Sequence, residues 1–154
     1  MEKITFLVSF YFLVAGLAAK NTTTVEYNIR VKTGNGAGCG TDSSFNLTFI
    51  GADGENVTFL LDGEGEKLET SKRDDFIFNG DKVYSIDRMN LQRVQKKGWS
   101  ADWYIHWLTV EVDDTLYVFR INRWIRNDVV HHYYGTLGMC KDGFKRIQEC
   151  RKEK

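Results

Sequence analysis

The chain has 154 residues, a length that suits one domain with its own core, and its 21 lysines and arginines balance 21 aspartates and glutamates. A formal charge of zero excludes a whole-molecule pull toward nucleic acid or an anionic membrane, so electrostatic docking has to be local. Proline is absent while 14 glycines accompany many aromatic and β-branched residues, a balance that favours strands joined by glycine turns.

Lys3 precedes an apolar run from Ile4 to Ala19, broken only by Thr5, Ser9 and Gly16 and closed by small residues. The run is shorter than the roughly 20 apolar residues that span a bilayer, so residues 1–19 read as a signal peptide. With no later apolar run, the expected product is a secreted, extracellular protein without a lipid anchor. Three sequons then become expected glycosylation sites, at Asn21, Asn46 and Asn56. Export also permits disulfides, and Cys39, Cys140 and Cys150 make an odd set. Cys140 with Cys150 is the shortest pairing; Cys39 with either of them, a free thiol or an intermolecular bridge all stay open.

From Glu26 the chain alternates, with Tyr27, Ile29 and Val31 opposed to Asn28, Arg30 and Lys32, the pattern of a half-buried strand. Residues 33–40 follow with four glycines, which reads as a mobile loop able to bring backbone close to a ligand or ion. Phe45, Leu47 and Phe49 alternate again, which turns Asn46 outward, as a glycan requires. Val57, Phe59 and Leu61 predict another strand, ending in the acidic turn Asp62-Gly63-Glu64-Gly65-Glu66. Phe76 and Phe78 continue the spacing to a turn at Asn79-Gly80-Asp81, and Val83 to Val94 has no assignable register.

Trp103 and Ile105 share one parity while Leu108, Val110 and Val112 share the other. A strict strand cannot bury both sets, so the sequence predicts a β-bulge near His106 and Trp107, with Trp107 turned outward. Asp113-Asp114 then predicts a hairpin to Tyr117, Phe119 and Ile121, with Trp124-Ile125 closing the domain. About seven short strands without helical periodicity imply an all-β fold of two antiparallel sheets packed as a β-sandwich. Residues 127–154 differ in composition and read as a C-terminal tail, with a short helix conceivable around Phe144 and Ile147 to Cys150.

The stretch from Tyr27 to Gly34, then Gly38-Cys39-Gly40-Thr41-Asp42 and Phe45 to Gly51, resembles the opening of a PLAT domain, also called the lipoxygenase homology domain. Asp74-Asp75-Phe76, Asp102-Trp103-Tyr104-Ile105 and the stretch from Tyr117 to Ile125, with its Asn122-Arg123-Trp124, agree in order and spacing with the same family. The resemblance covers residues 24–126 and implies an eight-stranded sandwich that docks onto lipid or a protein partner. Two departures are Ile121, where many members carry cysteine, and Cys39 inside the glycine loop. In some members such loops hold calcium, and the resemblance places Gly40 and Thr41 carbonyls, Asp42, an acid from Glu66 or Glu69, and Asp102 around one ion. It also places Trp99 at a loop tip that can enter membranes; the neighbouring Lys96 and Lys97 suit anionic headgroups, and Trp107, outward by the bulge argument, is a second candidate for an exposed aromatic contact.

Catalysis finds no support in the sequence. No Gly-x-Ser-x-Gly elbow occurs, only three histidines exist, and the glycine loop lacks the lysine and helix of a phosphate cradle. The expectation is therefore a non-enzymatic binding module, either for lipid or a membrane surface with calcium as the only candidate cofactor, or for an extracellular protein. Asp42 has a second possible duty, accepting hydrogen bonds from nearby backbone amides.

Overall fold

The computed structural model describes residues 23–95, 97, 101–126, 130–134, 137–140 and 143–145, which form strands and turns without a helix. The strands are β1 (Thr24–Thr33), β2 (Ser44–Gly51), β3 (Asn56–Asp62), β4 (Arg73–Asp81), β5 (Ile86–Gln95), β6 (Trp103–Val112), β7 (Thr115–Ile125), β8 (His131–Tyr134), β9 (Leu137–Cys140) and β10 (Gly143–Lys145). They build two antiparallel sheets, β10-β9-β7-β6-β1-β4 and β3-β2-β5-β8. The expected β-sandwich is present, its first eight strands extended by the short β9-β10 hairpin.

Alternation explains why these strands stack. Tyr27, Ile29 and Val31 of β1 and Phe45, Leu47 and Phe49 of β2 are all buried, and their side chains meet across the gap between the sheets. Tyr27 lies over Phe49 with centroids 6.0 Å apart, and Phe45 packs against the fully buried Trp103 at 5.0 Å. The stretch without assignable register becomes β5, which buries Ile86, Met89, Leu91 and Arg93. The three-residue step from Ile86 to Met89 hides its period. It coincides with a register shift against β2, where Gly51 pairs Ile86 and Ile50 pairs Arg88.

The phase conflict in β6 is resolved by the expected bulge. Thr33 pairs with Ile105 and Lys32 with Trp107, so His106 is the extra residue, and Trp103, Ile105, Leu108 and Val110 are all buried. On β7, Asn122 sits at φ 45°, a left-handed conformation that asparagine tolerates, and its side chain bonds His106 Nδ1 at 3.1 Å. Asp113 and Asp114 both take positive φ, 47° and 60°, as a two-residue hairpin requires.

β8, β9 and β10 follow the point where the sequence places the end of the sandwich, yet each hydrogen-bonds to it or to its extension. β8 pairs with β5, β9 with β7 and β10 with β9. Phe144, considered for a helix, lies in β10, while Ile147 to Cys150 lie outside the described residues. No helix among the described residues is long and apolar enough to cross a membrane. Residues 1–19, assigned to a signal peptide, are outside the described region.

Candidate functional site at the loop end of the sandwich

Three connections meet at one end of the sandwich: residues 34–43 after β1, 63–72 after β3 and, after β5, the described residues Lys97, Ala101 and Asp102. The first was expected to be mobile, but backbone hydrogen bonds pin it on two sides. Gly34 N donates to Tyr104 O at 2.9 Å, Ser71 N to Gly34 O at 2.8 Å, Thr41 N to Leu68 O at 3.1 Å and Tyr104 N to Cys39 O at 3.0 Å. Gly40 is what permits this closeness, because a Cβ there would stand 2.7 Å from Thr70 N. Cys39 is the loop's buried wedge, a free thiol at 6% exposure against Gly34 and Gly36. The Cys140–Cys150 pairing lies outside the described side chains.

Between the first two connections is a cleft of about 160 Å³ lined by Gly38, Gly40, Thr41, Asp42, Glu69 and Thr70. It gathers four of the six residues expected around an ion. Asp42 is exposed and Glu69 half-buried, and neither carboxylate has a basic partner among the described residues. The turn-capping duty considered for Asp42 falls to Thr41, whose Oγ1 accepts from Ser43 N at 3.1 Å.

The other two expected ligands are engaged elsewhere. Glu66 Oε2 pairs with Lys72 Nζ at 3.5 Å. Asp102 lies between Arg93 and Arg126, at 3.4 and 3.5 Å. Arg93 is only 8% exposed and also donates to Ala101 O at 3.0 Å, so Asp102 serves as counter-ion to a buried guanidinium. That requirement is invisible locally, since Arg93 arrives from β5.

Among the described residues, no three His, Cys, Asp or Glu side chains gather as a metal cluster. Calcium takes 6–8 oxygens and accepts carbonyls and water alongside carboxylates, so the donors of the Asp42/Glu69 cleft are of the kind it takes, with two carboxylates among them. Sequence reasoning missed Gly38 and Thr70 in the lining; Gly38 has a signal in the glycine run, Thr70 none.

Lys97 also departs from expectation. Its Nζ bonds Glu64 Oε2 at 2.8 Å and lies 3.5 Å from Asp62 Oδ1, so it staples the acidic turn instead of facing outward. The contact with Glu64 holds the Lys97 pKa above its ordinary value. The Asp62 carboxyl is held below its own, first by the Glu64 amide and further by the Ser44 hydroxyl and Lys97. Trp99 and Lys96 lie outside the described residues. Trp107 is half-buried on the outer face of β6. Nearby on that face, Tyr104 meets His106 and Trp124 edge-on, each at 5.4 Å, and Arg126 lies over Trp124 at 5.5 Å. His131 and His132 bond different partners, Arg126 O and Asn90 Oδ1.

Residues 27–136 match the PLAT/LH2 domain family. The chain belongs to the PLAT family. Human lipoxygenase homology domain-containing protein 1 is 28% identical to it over 105 residues, 67% of this chain but 5% of that protein, and the mouse protein agrees to the same extent. This PLAT chain thus spans about a twentieth of the curated relatives it matches. Among solved structures, a calcium-dependent 11R-lipoxygenase aligns at TM-score 0.62 and 28% identity, over 84% of this chain and 20% of that one. Coral 8R-lipoxygenase, described as calcium-activated through a C2-like domain, aligns at TM-score 0.63 and 25% identity over 71% and 17%. The alpha toxin of Clostridium absonum shares the fold alone, at TM-score 0.58 and 18% identity over 78% and 33%.

Proposed function

We propose that this PLAT chain is a secreted, non-enzymatic docking module that binds a lipid surface through its loop end, with calcium held in the Gly38–Asp42 and Glu69 cleft. One observation carries the reading: Asp42 and Glu69 stand in one cleft without a basic neighbour among the described residues, at the end where the connection bearing Trp99 leaves and returns. A cation there offsets local negative charge that would otherwise oppose contact with anionic headgroups. The similarity to a calcium-dependent lipoxygenase and a calcium-activated one supports the ion. Co-sedimentation with phosphatidylserine vesicles tests it. Binding should fall with chelator, with Asp42→Asn plus Glu69→Gln, and with Trp99→Ala; binding indifferent to all three rejects it.

A second reading is an extracellular protein-interaction module. It rests on the outer face of the four-stranded sheet, where Asn46 pairs with Leu60, itself 50% exposed. A glycan on Asn46 or on Asn56 at the start of β3 would keep that face from lying on a bilayer. Affinity capture from extracellular fluid separates the readings, since recovery of lipid without a stoichiometric protein counts against this one.

A further inference from the structure

Register places four residues on one rung of the six-stranded sheet. Arg73 of β4 pairs with Lys32 of β1, Lys32 with Trp107 of β6, and Trp107 with Arg120 of β7. Directly paired residues project from the same side, and the burial of Val31, Leu108 and Phe119 beside them sends this rung to the outer face. Arg73 and Arg120 are exposed, while Lys32 and Trp107 are half-buried. Strands lie about 4.8 Å apart, so three cations and one indole occupy a line of roughly 14 Å. The bulge at His106 is what brings Trp107 onto the line.

Like charges directly opposite across a strand pair destabilise a sheet, and Arg73 faces Lys32 in this way. Neither of them, nor Arg120, has a carboxylate partner among the described residues; Lys32 Nζ donates only to Ser71 O, at 2.6 Å. The next rung is different, with Arg30 paired to Asp75. A shallow groove of about 220 Å³ beyond it carries a net negative charge, its lining including Arg30 against Asp75 and Glu111. Of these two rungs, the positive excess lies on the one that borders the loop end.

We infer that the rung Arg73–Lys32–Trp107–Arg120 is a contact surface for the anionic headgroups of a lipid bilayer, with the Trp107 ring at the interface between flanking cations. Charge complementarity selects the headgroup, and an indole between cations suits the boundary between headgroups and acyl chains. The sequons at Asn46 and Asn56 lie on β2 and β3 of the other sheet, so glycans there would leave this face bare. The inference rests on the lipid-docking reading but is separable from it, because this contact needs no calcium.

The test uses the glycosylated full chain, with chelator present, on vesicles of phosphatidylcholine alone or mixed with phosphatidylserine. The chain should prefer the mixed vesicles. Arg120→Gln and Arg73→Gln, two independent exposed substitutions, should each weaken that binding roughly fivefold, and Trp107→Ala should weaken it as well. Lys82→Gln, at the opposite end beside Asp113, should leave it unchanged. Unfolding midpoints report that each variant is folded. Rung variants that bind as tightly as the unsubstituted chain overturn this inference alone, and calcium-dependent binding then still supports the loop-end reading. Failure of the unsubstituted chain to bind either vesicle with or without calcium overturns both, as does retention on a sulfated polysaccharide without vesicle binding.

Discussion

The Tyr27 hydroxyl sits inside the far end of the sandwich, donating to Asp81 O at 2.8 Å and accepting from Val83 N at 2.9 Å. Tyr27→Phe removes both bonds and leaves a buried amide unpaired, so denaturant unfolding should show a loss of about 1–3 kcal/mol. Burial also raises the pKa of this tyrosine above its ordinary value. Its contribution is thus fully present below the ordinary tyrosine range and is lost as pH rises through the raised value. Asp62 has the opposite sign. Its depressed carboxyl stabilises the fold above the ordinary aspartate range and loses that contribution as pH falls through the lowered value. Thermal unfolding of Asp62→Asn should therefore be less acid-sensitive than that of the unsubstituted chain. Tyr27 was legible as a core residue from its alternation, but its partners were not, since they lie more than fifty residues away.

β6 carries the clearest element-scale result. Its two parities demanded an extra residue, and one sits at His106. Deleting His106 should leave Trp103, Ile105, Leu108 and Val110 on one face of a regular strand, so unfolding should stay cooperative, with only the bulge and its contact to Asn122 lost. The insertion could be inferred because one strand carried both halves of the contradiction. β5 could not be read, because its cause is a register shift set by β2. The glycine loop was legible as a site of close backbone approach, while its rigidity depends on Leu68, Thr70 and Tyr104. Gly40→Ala should disrupt it, lowering the unfolding midpoint and weakening any calcium response together.

For the whole molecule, both sheets close over one core that runs from Tyr27 to Tyr133, so a ligand at the loop end stabilises the entire fold. Calcium at 100 times its Kd should raise stability by about 2.7 kcal/mol, read as a higher unfolding temperature. Asp42→Asn with Glu69→Gln should abolish that rise, whereas neutralising Glu66 should not, since Glu66 pairs with Lys72.

Period-two alternation and the bulge follow from residues adjacent in the chain, so the sequence by itself determined the β class, most strands and the clustering of acidic connections. Tertiary structure alone decided which charges remain available. Asp102 is claimed by Arg93, Glu66 by Lys72 and Lys97 by Glu64, whereas Arg73, Lys32 and Arg120 come together without an acid among the described residues. Those outcomes depend on partners brought within a few ångströms by sheet register, a relation that no local pattern of residues encodes.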